Sequence, residues 1–114
     1  MKIKLPIPWT FVREKFLVLF SSYTQSGVFC SIVNIDDTSV LNDVPLCFWE
    51  YEMTEIETKF ELFDKIEHSK VKERQGEITA ITFYWKTISY YCWNDEINEN
   101  YAEPLDEKKV WFST

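Results

Sequence analysis

Hydrophobic and polar positions form their densest pattern between residues 77 and 93. This stretch carries β-branched and aromatic residues at both sets of alternate positions, and it contains no Gly, Pro, Asn or Asp. Such residues fit a pleated surface, and two apolar faces indicate a strand that is covered on both sides. The pattern predicts a central strand over 77–93, with a bend or tight corner near Lys86–Thr87, the polar pair in its middle.

Two shorter apolar runs upstream favour a hairpin. Phe16–Phe20 and Val28–Ile35 flank a segment of Ser, Tyr, Thr, Gln and Gly, which is rich in turn-forming residues. A helix over Thr10–Tyr23 is the alternative, because several apolar residues of that segment also fall at helical spacing.

Shorter segments complete the predicted sheet. Lys2–Ile7 is expected to be an edge strand that ends at the prolines. Asp36–Asp43 is polar and predicts a loop, after which Cys47–Met53 alternates between apolar and largely acidic positions as a strand does. Lys108–Phe112 is a plausible last strand.

The segment 54–72 is the best helix candidate. Thr54 and Glu57 have the spacing of a capping box, and Ile56, Phe60 and Phe63 begin an apolar stripe at helical spacing. A strand is the rival interpretation, because apolar residues and Thr58 also alternate through the first part of the segment. Length and capping favour the helix. The predicted fold class is therefore α+β: one domain over residues 1–114, built as a mainly antiparallel, twisted sheet with the 54–72 helix packed on a face.

Charge and cysteine content narrow the function classes. The formal net charge is −7, which argues against nucleic acid and anionic membranes as partners and favours a cationic one. Cys30, Cys47 and Cys92 lie in apolar segments, where reduced, buried thiols are expected. Neither a secretory signal nor a membrane-spanning run is recognisable, so a cytoplasmic location is expected.

The residues available for catalysis are few. His68 is the only histidine, and the chain holds only two glycines, so a glycine-rich phosphate loop is excluded. The acidic residues lack the spacing of a calcium loop. We therefore expect no catalytic residue, no cofactor and no metal, and we expect His68 to be dispensable.

The segment from Asn94 to Glu107 is the compositional exception. It contains six acidic residues and no basic residue, beside an aromatic side chain that could anchor a partner. It is expected to be a loop or a short, frayed helix that binds a basic protein surface. A solvated acidic loop without a partner is the alternative. The predicted partner-binding residues are Asp95, Glu96, Glu99, Tyr101, Glu103, Asp106 and Glu107.

In size, acidity and lack of a catalytic set, the chain resembles the small acidic cytoplasmic immunity proteins that bacteria make against nuclease toxins. The resemblance implies a non-catalytic inhibitor, whose acidic side chains occupy the phosphate-binding cleft of a basic toxin domain while aromatic side chains anchor it. Two alternatives come from the 18% aromatic content and the predicted sheet. One is a small-molecule-binding α+β or barrel-like domain, with or without enzymatic activity. The other is a self-associating structural subunit, with the sheet face as the seam of a homodimer.

Overall fold

A computed structural model describes residues 1–6, 11–12, 15–45, 54–68, 75–84, 87–101 and 103–112. These residues form antiparallel strands and one 3-10 helix, and no α-helix occurs among them. The strands are β1 (Lys2–Leu5), β2 (Phe11–Val12), β3 (Phe16–Thr24), β4 (Gly27–Asn34), β5 (Val40–Pro45), β6 (Thr54–Glu57), β7 (Lys65–His68), β8 (Gln75–Tyr84), β9 (Thr87–Asn94), β10 (Glu99–Asn100), β11 (Leu105–Asp106) and β12 (Val110–Phe112), and the 3-10 helix is Glu107–Lys109.

One large sheet has the strand order β10-β9-β8-β3-β4-β5, and β1 pairs with β6 in a separate two-stranded sheet. Strand β8 is the branch point of the large sheet. Its first residues pair with β7, which in turn pairs with β12, and its last residues pair with β3. On its other edge β8 pairs with β9 along most of its length. The sheet therefore divides on one side of β8 and continues as a single ladder on the other.

The hairpin predicted over Phe16–Ile35 is confirmed. Strands β3 and β4 pair from Phe16 opposite Asn34 to Thr24 opposite Gly27. The Thr24 hydroxyl donates to the Gly27 carbonyl over 3.0 Å and accepts from the Ser26 amide, which closes the turn. Gly27 has φ of +121°, a conformation that glycine adopts without a steric penalty.

The single central strand predicted over 77–93 is wrong. The segment belongs to two antiparallel strands, β8 and β9, with Tyr84 opposite Thr87. The predicted corner near Lys86–Thr87 therefore falls where the chain passes from one strand to the next, although residues 85 and 86 themselves lie outside the described part. The central position in the sheet belongs to β8, which has paired strands on both edges.

The helix predicted over 54–72 is wrong, and so is the α+β class. Residues 54–57 form β6, 65–68 form β7, and 69–72 lie outside the described residues. The burial pattern explains the error: Ile56, Thr58 and Phe60 are buried, and the residues between them are exposed. Thr58 is a polar residue in this buried row because its hydroxyl donates to the Phe60 carbonyl over 2.7 Å. The alternation of the rival strand interpretation is therefore the pattern that the structure follows, and the capping-box spacing of Thr54 and Glu57 misled the prediction.

The remaining expectations are met in part. Strand β1 confirms the strand predicted at the start of the chain over Lys2–Leu5, whereas Ile7 lies outside the described residues. The strand expected at Cys47–Met53 also lies outside them. Half of the loop expected at Asp36–Asp43 is instead the start of β5. The last strand begins at Val110, after the 3-10 helix.

Two clusters of buried side chains stabilise the fold. The larger lies where β1 and β6 meet the face of β8 and β9, and the smaller lies between β3 and β4. The larger cluster contains Ile3, Leu5, Ile56, Phe60, Ile66, Ile78, Ile81, Tyr90, Cys92, Leu105 and Val110. Of the cysteines, Cys30 and Cys92 are buried thiols outside any disulfide, as expected, and Cys47 lies outside the described residues.

Candidate functional site

The acidic residues of the 94–107 segment lie along the outer edge of β9. Strand β10 pairs with the end of β9, Glu99 opposite Asn94, and β11 pairs further back, Asp106 opposite Ser89. The loop predicted for this segment is found in part: residues 95–98 form a turn, and 101, 103 and 104 lie outside the strands. The frayed helix of the same prediction is replaced by the short strands β10 and β11 and the start of the 3-10 helix. Repeated pairing with β9 overrides its polar composition.

The β9–β10 connection, residues 94–100, is here named the acidic hairpin. Its turn follows from local sequence. The Asn94 side chain accepts a hydrogen bond of 3.0 Å from the Glu96 amide, as an Asx turn does. Asn98 has φ of +54°, a left-handed conformation that Asn tolerates better than most residues. The two asparagines therefore fix the turn before any partner is present.

The acidic hairpin presents acids and one apolar side chain to solvent. Asp95, Glu96 and Glu99 are all exposed, and Ile97 between them is 55% exposed. Sequence reasoning missed Ile97. Its signal was an isolated aliphatic residue in an otherwise polar run, where solubility alone gives no reason for it.

Tyr101 lies directly after the acidic hairpin and is partly buried. Its side chain packs against the larger core cluster, and its amide donates to the Cys92 carbonyl over 3.0 Å. Glu103 is exposed two residues further on. The structure therefore places Tyr101 at the base of the acidic hairpin and leaves Ile97 as the apolar residue at its tip.

Asp106 and Glu107 have partners within the fold. The Asp106 carboxylate caps the 3-10 helix by accepting from the Lys108 amide over 2.9 Å. The Glu107 carboxylate accepts from the Tyr90 hydroxyl and, over 2.8 Å, from the Lys59 amide. The cap by Asp106 is local, but sequence reasoning had no means to foresee the two bonds of Glu107, because they join residues far apart in the chain.

Tyr90 is the centre of this polar cluster. Its side chain is fully buried, its ring packs edge-on against Phe60 at 5.5 Å, and its oxygen accepts from the Phe60 amide over 3.2 Å. Burial, and then the neighbouring Glu107 carboxylate, raise the pKa of Tyr90 well above its usual range. The hydroxyl is thereby kept protonated, so that it can donate to Glu107. The cluster joins β9, the residues after β6 and the 3-10 helix.

Five of the seven predicted partner-binding residues therefore fall into two groups, and Tyr101 and Glu103 lie in the chain between them. Asp95, Glu96 and Glu99 are brought together on the acidic hairpin, whereas Asp106 and Glu107 lie at the other end of β9. From Asn94 to Ser89 the strand covers five residue steps, or roughly 16 Å. The acidic hairpin is the part of the segment whose acids are exposed and close together.

Other sites are few in the described part of the chain. No group of three or more His, Cys, Asp or Glu side chains in it has the arrangement of a metal site. His68 is the last residue of β7, opposite Val110, and its dispensability stays a prediction. Among the same residues, no helix has the length and apolar character that crossing a bilayer requires.

Comparisons with known proteins give no further guidance. No protein-family model, no curated protein and no solved structure matches this chain. Any functional argument therefore rests on the geometry and charge of the chain itself.

Proposed function

We propose that this chain is a non-catalytic, acidic binding protein that neutralises a basic toxin domain, such as a nuclease, in the bacterial cytoplasm. The acidic hairpin is the element that engages the partner. The observation that carries the proposal is the composition of the acidic hairpin, in which three exposed acids surround a half-exposed Ile97. The resemblance in size and charge to immunity proteins supports the choice of partner.

Charge supplies the first part of the binding argument. The chain has a net charge of −7, and like charges in the acidic hairpin repel one another until a cation approaches. A nuclease cleft that binds phosphates is cationic, and it would be attracted to the acidic hairpin over several ångströms. This attraction raises the association rate more than it raises the lifetime of the complex.

Preorganisation and apolar contact supply the second part. The Asn94 and Asn98 conformations hold the turn before binding, so little ordering entropy is lost when the partner docks. Ile97 at the tip offers an apolar contact that acids alone lack. Burial of an exposed aliphatic side chain at an interface core is favourable by about 1–2 kcal/mol.

The test is the association rate of a charge-neutral hairpin, D95N/E96Q/E99Q. A unit charge about 7 Å from a cation in water contributes roughly 0.6 kcal/mol, so three contribute roughly 1.8 kcal/mol before screening. Screening leaves about four-fifths of this at 10 mM salt and about two-fifths at 150 mM. We expect association to slow by about tenfold at 10 mM and about threefold to fourfold at 150 mM.

The ligand for stopped-flow measurement is the product of the gene adjacent to the one that encodes this chain, provided that it is a basic protein retained by the immobilised chain. A matched control, D36N/D37N/D43N, removes three exposed acids from the β4–β5 region. The control should change the rate much less. Equal rates for both variants at every salt concentration would contradict the role of the acidic hairpin.

A further inference from the structure

A second charged surface lies near the opposite end of β9. We name it the lysine–aromatic edge, and it comprises Lys59, Phe60, Lys108, Lys109 and Phe112. The three lysines are exposed, and Phe112 is 57% exposed. Within the described ranges, none of the three ammonium groups forms an ion pair, and the only such pair there is Lys15 with Asp36.

Contacts far apart in sequence assemble this surface. The bond from the Lys59 amide to Glu107 brings residues 59 and 60 beside the 3-10 helix that carries Lys108 and Lys109. The Phe60 and Phe112 rings meet edge to face with centroids 4.8 Å apart. The Lys59 ammonium lies 5.4 Å from the Phe60 ring centroid. The exposed Phe112 ring is thus oriented by the buried Phe60 ring, over which the Lys59 ammonium lies.

Charge complementarity identifies the occupant. A surface with three unpaired lysines and an oriented, exposed aromatic ring fits a segment that carries several acids and an apolar residue. The acidic hairpin has that composition, with Asp95, Glu96 and Glu99 around Ile97. Within one molecule the two surfaces lie on elements that the β9 ladder holds apart, since their attachment points on β9 are roughly 16 Å from one another. The complementary segment must therefore come from a second molecule.

We propose that this protein self-associates head to tail, with the acidic hairpin of one copy docked on the lysine–aromatic edge of the next. Ile97 packs against the Phe112 ring, and the hairpin acids face the three lysines. Two different surfaces meet in such a heterologous contact, so every dimer or longer chain keeps one free acidic hairpin at one end and one free edge at the other. The assembly therefore grows into longer chains as concentration rises, and salt weakens it.

This self-association goes beyond the proposed toxin partner and does not depend on it. A basic partner that binds the acidic hairpin competes with the lysine–aromatic edge for the same residues. Binding to the partner and self-assembly then exclude each other at each hairpin.

The test is sedimentation velocity on the full chain at 10 mM and 300 mM salt, over a concentration series that reaches the millimolar range. Wild-type protein is expected to show a weight-average mass that rises with concentration at 10 mM and stays near that of the monomer at 300 mM. Two variants each neutralise the charges of one surface: D95N/E96Q/E99Q for the acidic hairpin and K59Q/K108Q/K109Q for the lysine–aromatic edge. Each variant by itself should have an apparent dissociation constant at least tenfold weaker than wild type.

The decisive measurement is the equimolar mixture of the two variants. The first retains an intact lysine–aromatic edge and the second an intact acidic hairpin, so the mixture should form a one-to-one dimer that does not grow further. A two-fold symmetric contact, in which both hairpins of a pair dock at once, would instead stop wild type itself at a dimer, so growth of wild type beyond the dimer distinguishes the two arrangements. Failure of the mixture to dimerise under conditions in which wild type associates would overturn the proposal.

Matched controls separate local charge from total charge. D36N/D37N/D43N and K2Q/K4Q/K15Q each change three exposed charges elsewhere on the chain. Both should associate as wild type does, within about threefold. A control that loses association as fully as the test variants, or a wild-type protein that stays monomeric at 10 mM salt, would also refute head-to-tail docking.

Discussion

Replacement of Tyr90 by Phe tests whether the Tyr90–Glu107 cluster stabilises the fold. The change keeps the buried ring and its edge-to-face contact with Phe60, and it removes only the hydroxyl. Two hydrogen bonds disappear with it, one donated to the Glu107 carboxylate and one accepted from the Phe60 amide. The perturbation is therefore chemical rather than steric.

The expected loss follows from these two bonds. A hydrogen bond to a charged group contributes about 1.5–3 kcal/mol, and a buried amide left without an acceptor costs about 1–3 kcal/mol. Glu107 is only partly buried and keeps the Lys59 amide, so water and the remaining donor compensate part of the loss. We expect Y90F to lower the free energy of unfolding by about 2–4 kcal/mol near pH 8.

The effect should depend on alkaline pH with a definite sign. Burial and Glu107 raise the pKa of Tyr90 in the folded state, so the unfolded chain releases this proton first. The stabilisation is present in full below the unfolded pKa of about 10 and declines by about 1.4 kcal/mol per pH unit above it. The difference between wild type and Y90F should therefore shrink by roughly 1.4 kcal/mol between pH 8 and pH 11.

Urea denaturation followed by circular dichroism at pH 8, 10 and 11 measures both quantities. Burial raises the pKa of Cys30 to about 11, which adds its own alkaline loss, but that loss is common to both proteins and cancels. Y91F is the matched control, since the described structure shows no hydrogen bond from the hydroxyl of this partly buried tyrosine. A Y90F loss below about 0.5 kcal/mol at pH 8, or a difference that does not shrink by pH 11, would refute the reasoning.

Two further changes test the sheet around β8, each by urea denaturation. At Gly76 an added Cβ would lie 2.3 Å from the Trp93 carbonyl oxygen, so G76A should destabilise by about 1–3 kcal/mol, and a neutral result would contradict the close approach of β8 and β9. Ile81 is 1% exposed in the larger core, so I81A should cost about 2–5 kcal/mol, and a loss below about 1 kcal/mol would show that this face is not buried.

Local chemistry made some strands predictable from the sequence. The hairpin of β3 and β4 has two apolar runs around a turn containing Gly27, and the structure confirms it. The helix prediction for residues 54–72 failed because a capping box and an apolar stripe at helical spacing coincided with an alternation of buried and exposed positions. Alternation prevailed because β6 pairs with β1, which lies more than fifty residues earlier in the chain. Local propensity carries no information about such a partner.

The candidate site was predictable to the same degree. Composition located the acids, and the structure gathers Asp95, Glu96 and Glu99 on the acidic hairpin. The Glu107 carboxylate instead accepts hydrogen bonds from the Tyr90 hydroxyl and the Lys59 amide, which approach it only after the sheet has formed. The lysine–aromatic edge was missed for the same reason, since Lys59 and Phe112 are far apart in the sequence.

The pairing of β3 with β8, here called the β3–β8 seam, affects the order of folding events. On either side of it lie hairpins between sequence neighbours, β3 with β4 and β8 with β9, which close short loops and form quickly. The seam itself pairs Thr24 with Ala80 and needs the closure of a long loop. The two hairpins should therefore form early. The slower step, which sets the folding rate, should be the pairing of β3 with β8. Until it occurs, the facing edges of β3 and β8 are open to pairing with another chain, so the newly made protein is most prone to misassembly at that stage.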